Sequence, residues 1–408
     1  MVFSPIALGR ASRSRGMEQA QWALYLAGGL IALRFVVAVY LPLSFDEAYF
    51  WLWSKHLAVS YYDHPPLIAF AIRAGTLVFG DMQWGVRVVS FLASVAASWA
   101  VWRAGALLLA DELAGAAVCV FFNATLMIAS QSMSATPDAL VLAEAAFLLF
   151  FVAKLQASGD GRWWLAIGAA LGAAFLTKYT AFFLGAGVAL WLIASRQNRS
   201  WLNTPWPYAA AAIAIACFVP NLLWNAAHDW ISFEFQFGRV VKGGPTLKYL
   251  GEFLGSQLAL ASPFILIPAL YGLVRQTRPL SIAAALVWPA LVYFLVHSIH
   301  ARVQGNWPSF VYPALAVLAA SALQHASHNR LLSWSGMLAL PVAGLILAFV
   351  YAQTAFGFLS WGIHDPVARM TAVDISPVMD EIAALAARDH ADAILTTEYE
   401  TTGWLSFY

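Results

Sequence analysis

Residues 20–41 read AQWALYLAGGLIALRFVVAVYL, and residues 42–67 continue PLSFDEAYFWLWSKHLAVSYYDHPPL. The first stretch has the length and apolar character to cross a hydrocarbon core of about 30 Å as a single helix. The second does not. Ser44 followed by Glu47 fits a capping box that opens a helix running to about His56. Tyr49, Phe50, Trp51, Trp53 and Leu57 give that helix an aromatic face with one basic residue, so it lies in the membrane interface rather than across it. Tyr61-Tyr62-Asp63-His64-Pro65-Pro66 breaks it, and prolines can open a further helix but not sit inside one. One crossing helix followed by a polar, aromatic external loop is the pattern on which the rest of the chain is read.

Working outward, the chain has 408 residues, 61% hydrophobic and 11% charged, with mean hydropathy +0.71. Soluble domains are nearer half apolar and a quarter charged, so this excess is explained by lipid contact. A net charge of +1 with no basic tract argues against a nucleic-acid partner. Cys119 and Cys217 both sit in apolar stretches and read as small hydrophobes rather than a disulfide or metal pair. The 18 Trp and 14 Tyr suit rings at headgroup level.

Runs long enough to cross lie near 20–41, 87–109, 113–131, 138–157, 162–177, 180–195, 207–225, 250–273, 280–298, 308–323 and 332–354. The expected fold is an all-α polytopic membrane protein of about eleven transmembrane helices, with interfacial helices in the first external loop. Lys178 separates two short runs that could also be one broken helix. Arg10, Arg13 and Arg15 precede any acid and keep residues 1–19 cytoplasmic, with no cleavable signal. Eleven crossings then put Arg103, Lys154, Arg162, Arg196, Arg199, Arg275, Arg278 and Arg330 inside. They put Asp46, Glu47, Asp63, His64, Asp138, Lys178, Arg302 and Asn306 on the outer side, with 42–87 as the first periplasmic loop. Polar chemistry gathered at one interface favours an interfacial enzyme. A transporter would cluster ionisable groups at the midplane of several helices.

Each residue also has a plain reading. Glu47 is a capping-box partner first and a substrate contact second. Asp46 has no structural duty in the pattern, and free N–H groups of the first helical turn would keep it ionised, as a general base requires. Asp63 either caps the helix after Pro65 or meets a phosphate or a divalent metal ion, with His64 beside it. Thr136-Pro137-Asp138 is an N-cap, N1, N2 sequence that by itself would account for Asp138.

Phe45-Asp46-Glu47-Ala48-Tyr49, Tyr61-Tyr62-Asp63-His64-Pro65-Pro66-Leu67, Thr136-Pro137-Asp138-Ala139-Leu140, Leu176-Thr177-Lys178-Tyr179-Thr180, Trp224-Asn225, Phe233-Glu234-Phe235 and Arg302 before Asn306-Trp307-Pro308 occur in that order. This ordered set resembles the GT-C class of membrane glycosyltransferases, which includes protein O-mannosyltransferases and the lipid A aminoarabinose transferase. The resemblance spans 20–354. It implies a sugar donor on a polyprenyl phosphate, an acceptor in the cell envelope (a lipid, as in lipopolysaccharide modification, a glycan, or a protein, as in protein glycosylation), and transfer at the periplasmic face of a bacterial inner membrane. By the same resemblance Asp46 matches the catalytic carboxylate. Asp63 and His64 match the second-loop motif near the carrier phosphate, which holds a divalent metal in some members. Lys178 matches the basic residue near that phosphate. Arg302 adds a guanidinium suited to bidentate phosphate binding. His64 stands where the aminoarabinose branch has lysine, which moves phosphate neutralisation toward Lys178, Arg302 or a metal.

The transmembrane domain is expected over 20–361. After it, 362–408 reads as a short, possibly truncated, external α/β segment: a helix over Ser376–Arg388, a strand over Ala393–Thr397 and an aromatic end at Trp404–Tyr408. The alternative function is a lipid or solute transporter or flippase. Internal repeats and broken helices at mid-membrane would mark it, and no repeat is visible.

Overall fold

The computed structural model describes residues 5–241, 244–275, 280–324, 329–359 and 375–408. Lys242, Arg278 and positions 362–374 of the expected C-terminal segment lie outside the described residues. The helices are α1 (Pro5–Tyr40), α2 (Phe45–Lys55), α3 (Leu67–Phe79), α4 (Gln83–Leu109), α5 (Glu112–Ala124), α6 (Leu126–Gln131), α7 (Pro137–Ser158), α8 (Trp163–Thr177), α9 (Phe182–Ala194) and α10 (Arg196–Arg199). They continue with α11 (Trp206–Ala227), α12 (Ile231–Val241), α13 (Lys248–Ala261), α14 (Pro263–Val274), α15 (Ile282–Ser298), α16 (Tyr312–Gln324), α17 (Arg330–Phe356), α18 (Ser376–Arg388) and α19 (Tyr399–Phe407).

Helix α7 is the axis of the bundle. Leu140, Val141, Leu142, Ala145, Ala146, Leu148 and Leu149 are all buried, because α4, α8 and α16 surround it. Around it α11 packs on α8, α14 on α16 and α17, α1 on α5, and α9 on α15. Small residues set the spacing, as lipid-embedded helix pairs require. A Cβ on Gly168 of α8 would lie 2.5 Å from the Ala210 carbonyl oxygen of α11, and one on Gly187 of α9 would lie 2.7 Å from the Leu286 Cα of α15. The outer surface carries Trp22, Tyr25, Leu77, Leu223, Val292 and Leu345 in exposed positions. Lipid tails are the environment that suits them.

Among the described residues, four helices are long and apolar enough to cross a membrane: Gly16–Tyr40, Gln83–Leu109, Trp206–Ala227 and Arg330–Phe356. Two bent pairs, Tyr179–Ala194 with Arg196–Asn203 and Lys248–Ala261 with Pro263–Val274, raise the number to six, and five shorter apolar helices accompany them. Helix length and composition alone do not confirm the expected count of about eleven crossings. The run at 113–131 is divided at Thr125, whose hydroxyl accepts from the Ile128 N–H and starts α6 afresh. The run at 250–273 turns through 108° at Ser262, which has φ +66° before Pro263, a residue that cannot extend the preceding helix. The break at Lys178 yields two helices. Phe175 near the end of α8 touches Phe182 at the start of α9, at 4.8 Å. Trp164 and Trp191 meet at the other end, at 6.3 Å. The two run antiparallel.

The mid-membrane charges face inward. The Arg34 guanidinium donates to the Asn123 side-chain oxygen at 2.8 Å and to the Asn123 carbonyl, and Glu144 accepts from the Thr177 hydroxyl at 2.7 Å.

At the C-terminal end, α18 falls on Ser376–Arg388 as the sequence indicates. The strand over Ala393–Thr397 does not form, and no strand occurs among the described residues. Leu395 is 94% exposed, and an isolated strand has no ladder to join. The aromatic end is helical instead, as α19. Among the described residues 375–408 the segment holds helices and no strand.

Candidate active site

The site is built at one end of the bundle, where α2 begins. Ser44 caps α2: its hydroxyl accepts from the Glu47 N–H while the Glu47 carboxylate accepts from the Ser44 N–H at 3.0 Å. The same Glu47 carboxylate takes two bonds from Arg87, at 2.6 and 2.7 Å, and one from the Ala135 N–H at 2.9 Å. Arg87 spends its remaining donors on the Ala38, Leu41 and Pro42 carbonyls, each at 2.7 Å. Burial opposes ionisation of Glu47, but the Arg87 guanidinium outweighs it and holds the carboxyl below its usual range. Glu47 is thus a strut joining α1, α2, α4 and the entry to α7. Its oxygens are committed to the protein. Arg87 stands at the head of the apolar run at 87–109, and that position was the signal available in the sequence.

Asp138 is the second node. It receives both bonds of the Lys178 ammonium at 2.8 Å, the Asn306 amide at 2.9 Å and the Ser309 hydroxyl at 2.6 Å. Both Asp138 and Lys178 are buried. Three residues singled out from separate motifs, Asp138, Lys178 and Asn306, therefore converge, and Ser309 joins them unannounced by any motif. Thr136 is the N-cap of α7, with Pro137 opening the helix and Asp138 in its first turn, as the sequence reads; the node is a second duty of Asp138.

Asp46 lies on the first turn of α2, between these nodes. Burial, then the charges of Asp138, Glu400, Asp63 and Glu47, push its carboxyl up to about 7. The helix N-terminus was expected to keep this group ionised, and the surrounding carboxylates override it. Among the described residues no hydrogen bond holds the Asp46 carboxylate. Asp63 contributes to that field. Its backbone carbonyl is held by the Gln236 amide at 2.5 Å, and Pro66 is the N-cap of α3. The His64 ring lies 6.0 Å from that of Phe50. The loop is pinned to α11 and α12, because Asn221 donates to the Ser60 hydroxyl at 2.8 Å and Ser232 to the Tyr61 carbonyl at 2.8 Å.

Arg302 and the Asp63–His64 pair stand apart from these two nodes. Arg302 belongs to neither node; it is exposed and pairs with Glu252 at 3.4 Å, with Lys248 on the same glutamate at 3.9 Å. No three His, Cys, Asp or Glu side chains come together to hold a metal ion among the described residues. Asp63 and His64 would supply at most two protein ligands to a divalent cation, the remainder coming from water or a carrier phosphate.

Residues 63–224 match the family model described as dolichyl-phosphate-mannose-protein mannosyltransferase. The lipid A galacturonosyltransferase RgtD of Rhizobium johnstonii is 27% identical over 388 residues, covering 91% of this chain and 80% of that protein. The undecaprenyl phosphate-alpha-4-amino-4-deoxy-L-arabinose arabinosyl transferase 1 of Pseudomonas fluorescens is 26% identical over 340 residues, 74% of this chain and 58% of that one. In fold, the chain matches ArnT from Cupriavidus metallidurans bound to undecaprenyl phosphate with a TM-score of 0.64 at 17% identity, over 95% of this chain and 74% of that one. These likenesses support a membrane glycosyltransferase of the GT-C class that uses a lipid-linked sugar donor. The likeness of this enzyme's fold extends to the Archaeoglobus fulgidus oligosaccharyltransferase, with a TM-score of 0.52 at 10% identity over 95% of this chain and 61% of that one. The family match begins at Asp63, so Asp46 and Glu47 lie before it.

Proposed function

We infer that the enzyme transfers a glycosyl group from a polyprenyl-phosphate-linked sugar to an envelope acceptor at the periplasmic face, with Asp46 as general base. The observation that carries this is the contrast between three neighbouring acids. Glu47 and Asp138 are tied into hydrogen-bonded nodes, whereas Asp46 keeps a free carboxylate beside them. In the reaction Asp46 takes the proton of the acceptor hydroxyl. That oxygen bonds to the anomeric carbon as the carbon–phosphate oxygen bond breaks, with inversion, and the electron pair leaves on the carrier phosphate. A base titrating near working pH combines availability with proton-accepting strength.

The Lys178 ammonium, oriented by both Asp138 oxygens, presents fixed positive charge near the base, and the leaving phosphate needs such charge. Asn306 and Ser309 hold Asp138 so that Lys178 keeps its direction. The acceptor class favoured is lipid A, on the strength of the relative that aligns over most of both chains. Mass spectrometry of envelope lipids from cells with and without the gene tests it: a missing glycosyl increment on lipid A supports the assignment, and unchanged lipid A with an altered glycan or glycoprotein replaces it. For the chemistry, Asp46→Asn keeps shape and removes the base, so transfer should fall about a hundredfold or more. Purified Asp46→Asn transferring at the native rate would remove Asp46 from the role.

A further inference from the structure

The last helix, α19, makes its main contacts with α2. A Cβ on Gly403 would lie 2.7 Å from the Tyr49 nitrogen and 3.0 Å from the Ala48 carbonyl carbon, so the two backbones touch where only hydrogen fits. The Trp404 indole N–H donates to the Leu43 carbonyl at 3.0 Å, and the Leu43 N–H donates to the Tyr408 hydroxyl at 2.9 Å. Rings pair across the whole interface: Phe45 with Trp404 at 6.0 Å, Tyr49 with Tyr399 at 4.7 Å and Trp51 with Phe407 at 5.0 Å. Leu43 and α2 are the segment that carries Asp46.

We propose that α19 is a positioning element of the active site: it clamps α2 through Gly403 and Trp404 and sets Glu400 beside Asp46. Asp46 sits one turn before Tyr49, and Glu400 one turn before Gly403, so the contact at Tyr49 and Gly403 fixes both. The groups facing Asp46 are Glu47 and Tyr49 on α2, Asp63 before α3, Asp138 with its partner Lys178 at the ends of α7 and α8, and Tyr399 and Glu400 on α19. Of the carboxylates, Glu400 alone comes from outside the bundle, and its charge strengthens Asp46 as a base. The catalytic half of this inference rests on Asp46 being the base; the docking half does not.

The experiment compares the full-length native protein with Glu400→Gln, Gly403→Val and Trp404→Phe. It measures amide hydrogen exchange over Phe45–Lys55 and the pH dependence of transfer from an undecaprenyl-phosphate sugar. Gly403→Val should raise exchange across α2 by about tenfold or more, and Trp404→Phe, which deletes one donor without adding volume, should raise it less. Glu400→Gln should leave α2 exchange and donor KM unchanged while moving the acid limb of kcat to lower pH. Unchanged α2 exchange in both Gly403→Val and Trp404→Phe overturns the clamp. A superimposable pH profile in Glu400→Gln overturns the role of that residue. If the native protein transfers no sugar, the enzymatic assignment fails, and the exchange arm still decides the docking.

Discussion

Asp46 and Glu47 are adjacent in the chain, yet their surroundings give them opposite titration behaviour. Glu47 has a guanidinium and two backbone donors; Asp46 has burial and four acids. Raising the carboxyl of Asp46 to about 7 means that the folded enzyme binds its proton across a window in which the unfolded chain, with an ordinary carboxylate, has lost it. Stability from this group is present below the unfolded value and is lost as pH rises through the folded one. Native enzyme should therefore lose transfer as pH falls through about 7, where the base becomes protonated. Asp46→Asn should have a higher melting temperature than native at pH 8 and a difference that vanishes at low pH. Melting curves across that range check it, and an Asn variant less stable at pH 8 would contradict it. The sequence showed Asp46, Asp138, Lys178 and Asn306 because each stands in an ordered motif. It hid Arg87, Ser309 and Glu400, whose importance comes from partners far along the chain and leaves no local pattern.

At the scale of elements, α2 is an interfacial helix held by three supports: its own capping box, the Arg87–Glu47 pair and α19. The first was legible, since Ser44 and Glu47 are three residues apart. The second was not, since 40 residues separate its members. Removing one member of a buried, fully hydrogen-bonded pair costs about 3–5 kcal/mol, because the other charge is stranded. Glu47→Gln should accordingly destabilise the protein by about that amount and reduce transfer through loss of α2 geometry. Denaturant or thermal unfolding in detergent measures it, and a Glu47→Gln variant as stable as native would show that the node is dispensable. Helix starts were read well where a cap and a proline coincide, as at Pro137, and badly at Ala393–Thr397. There a β-prone composition has no neighbouring strand, and tertiary context decides.

For the whole molecule, the ends of the bundle have different characters. Asp46, Asp138, Lys178, Asn306 and α19 gather at one end, while the connection between α9 and α11 lies at the other. A cysteine at Val59, which is 45% exposed, or at Asp380 should react with an impermeant maleimide from one side of the membrane. One at Ser200 should react from the opposite side, in a background lacking Cys119 and Cys217. Labelling of Val59→Cys and Ser200→Cys from the same side would overturn this arrangement. Ser60 would be a poor probe, because it is buried against Asn221. Composition and long apolar runs made the membrane bundle legible; helix length and hydropathy leave the count of crossings open, because short, bent and paired helices are told apart by packing.

The contacts of Leu43 bear on how the protein is made. Glu47 waits for Arg87, and then for the Ala135 N–H, which lies 88 residues after it. Leu43 waits for Trp404 and Tyr408, 361 and 365 residues farther along. A chain emerging from the ribosome and threading into the membrane therefore carries its catalytic loop early but can set it only when α19 has been delivered to the same side. On the proposal above, a nascent chain stalled before that point holds the Asp46 loop without the clamp of α19, and the order of synthesis would withhold activity from incomplete copies.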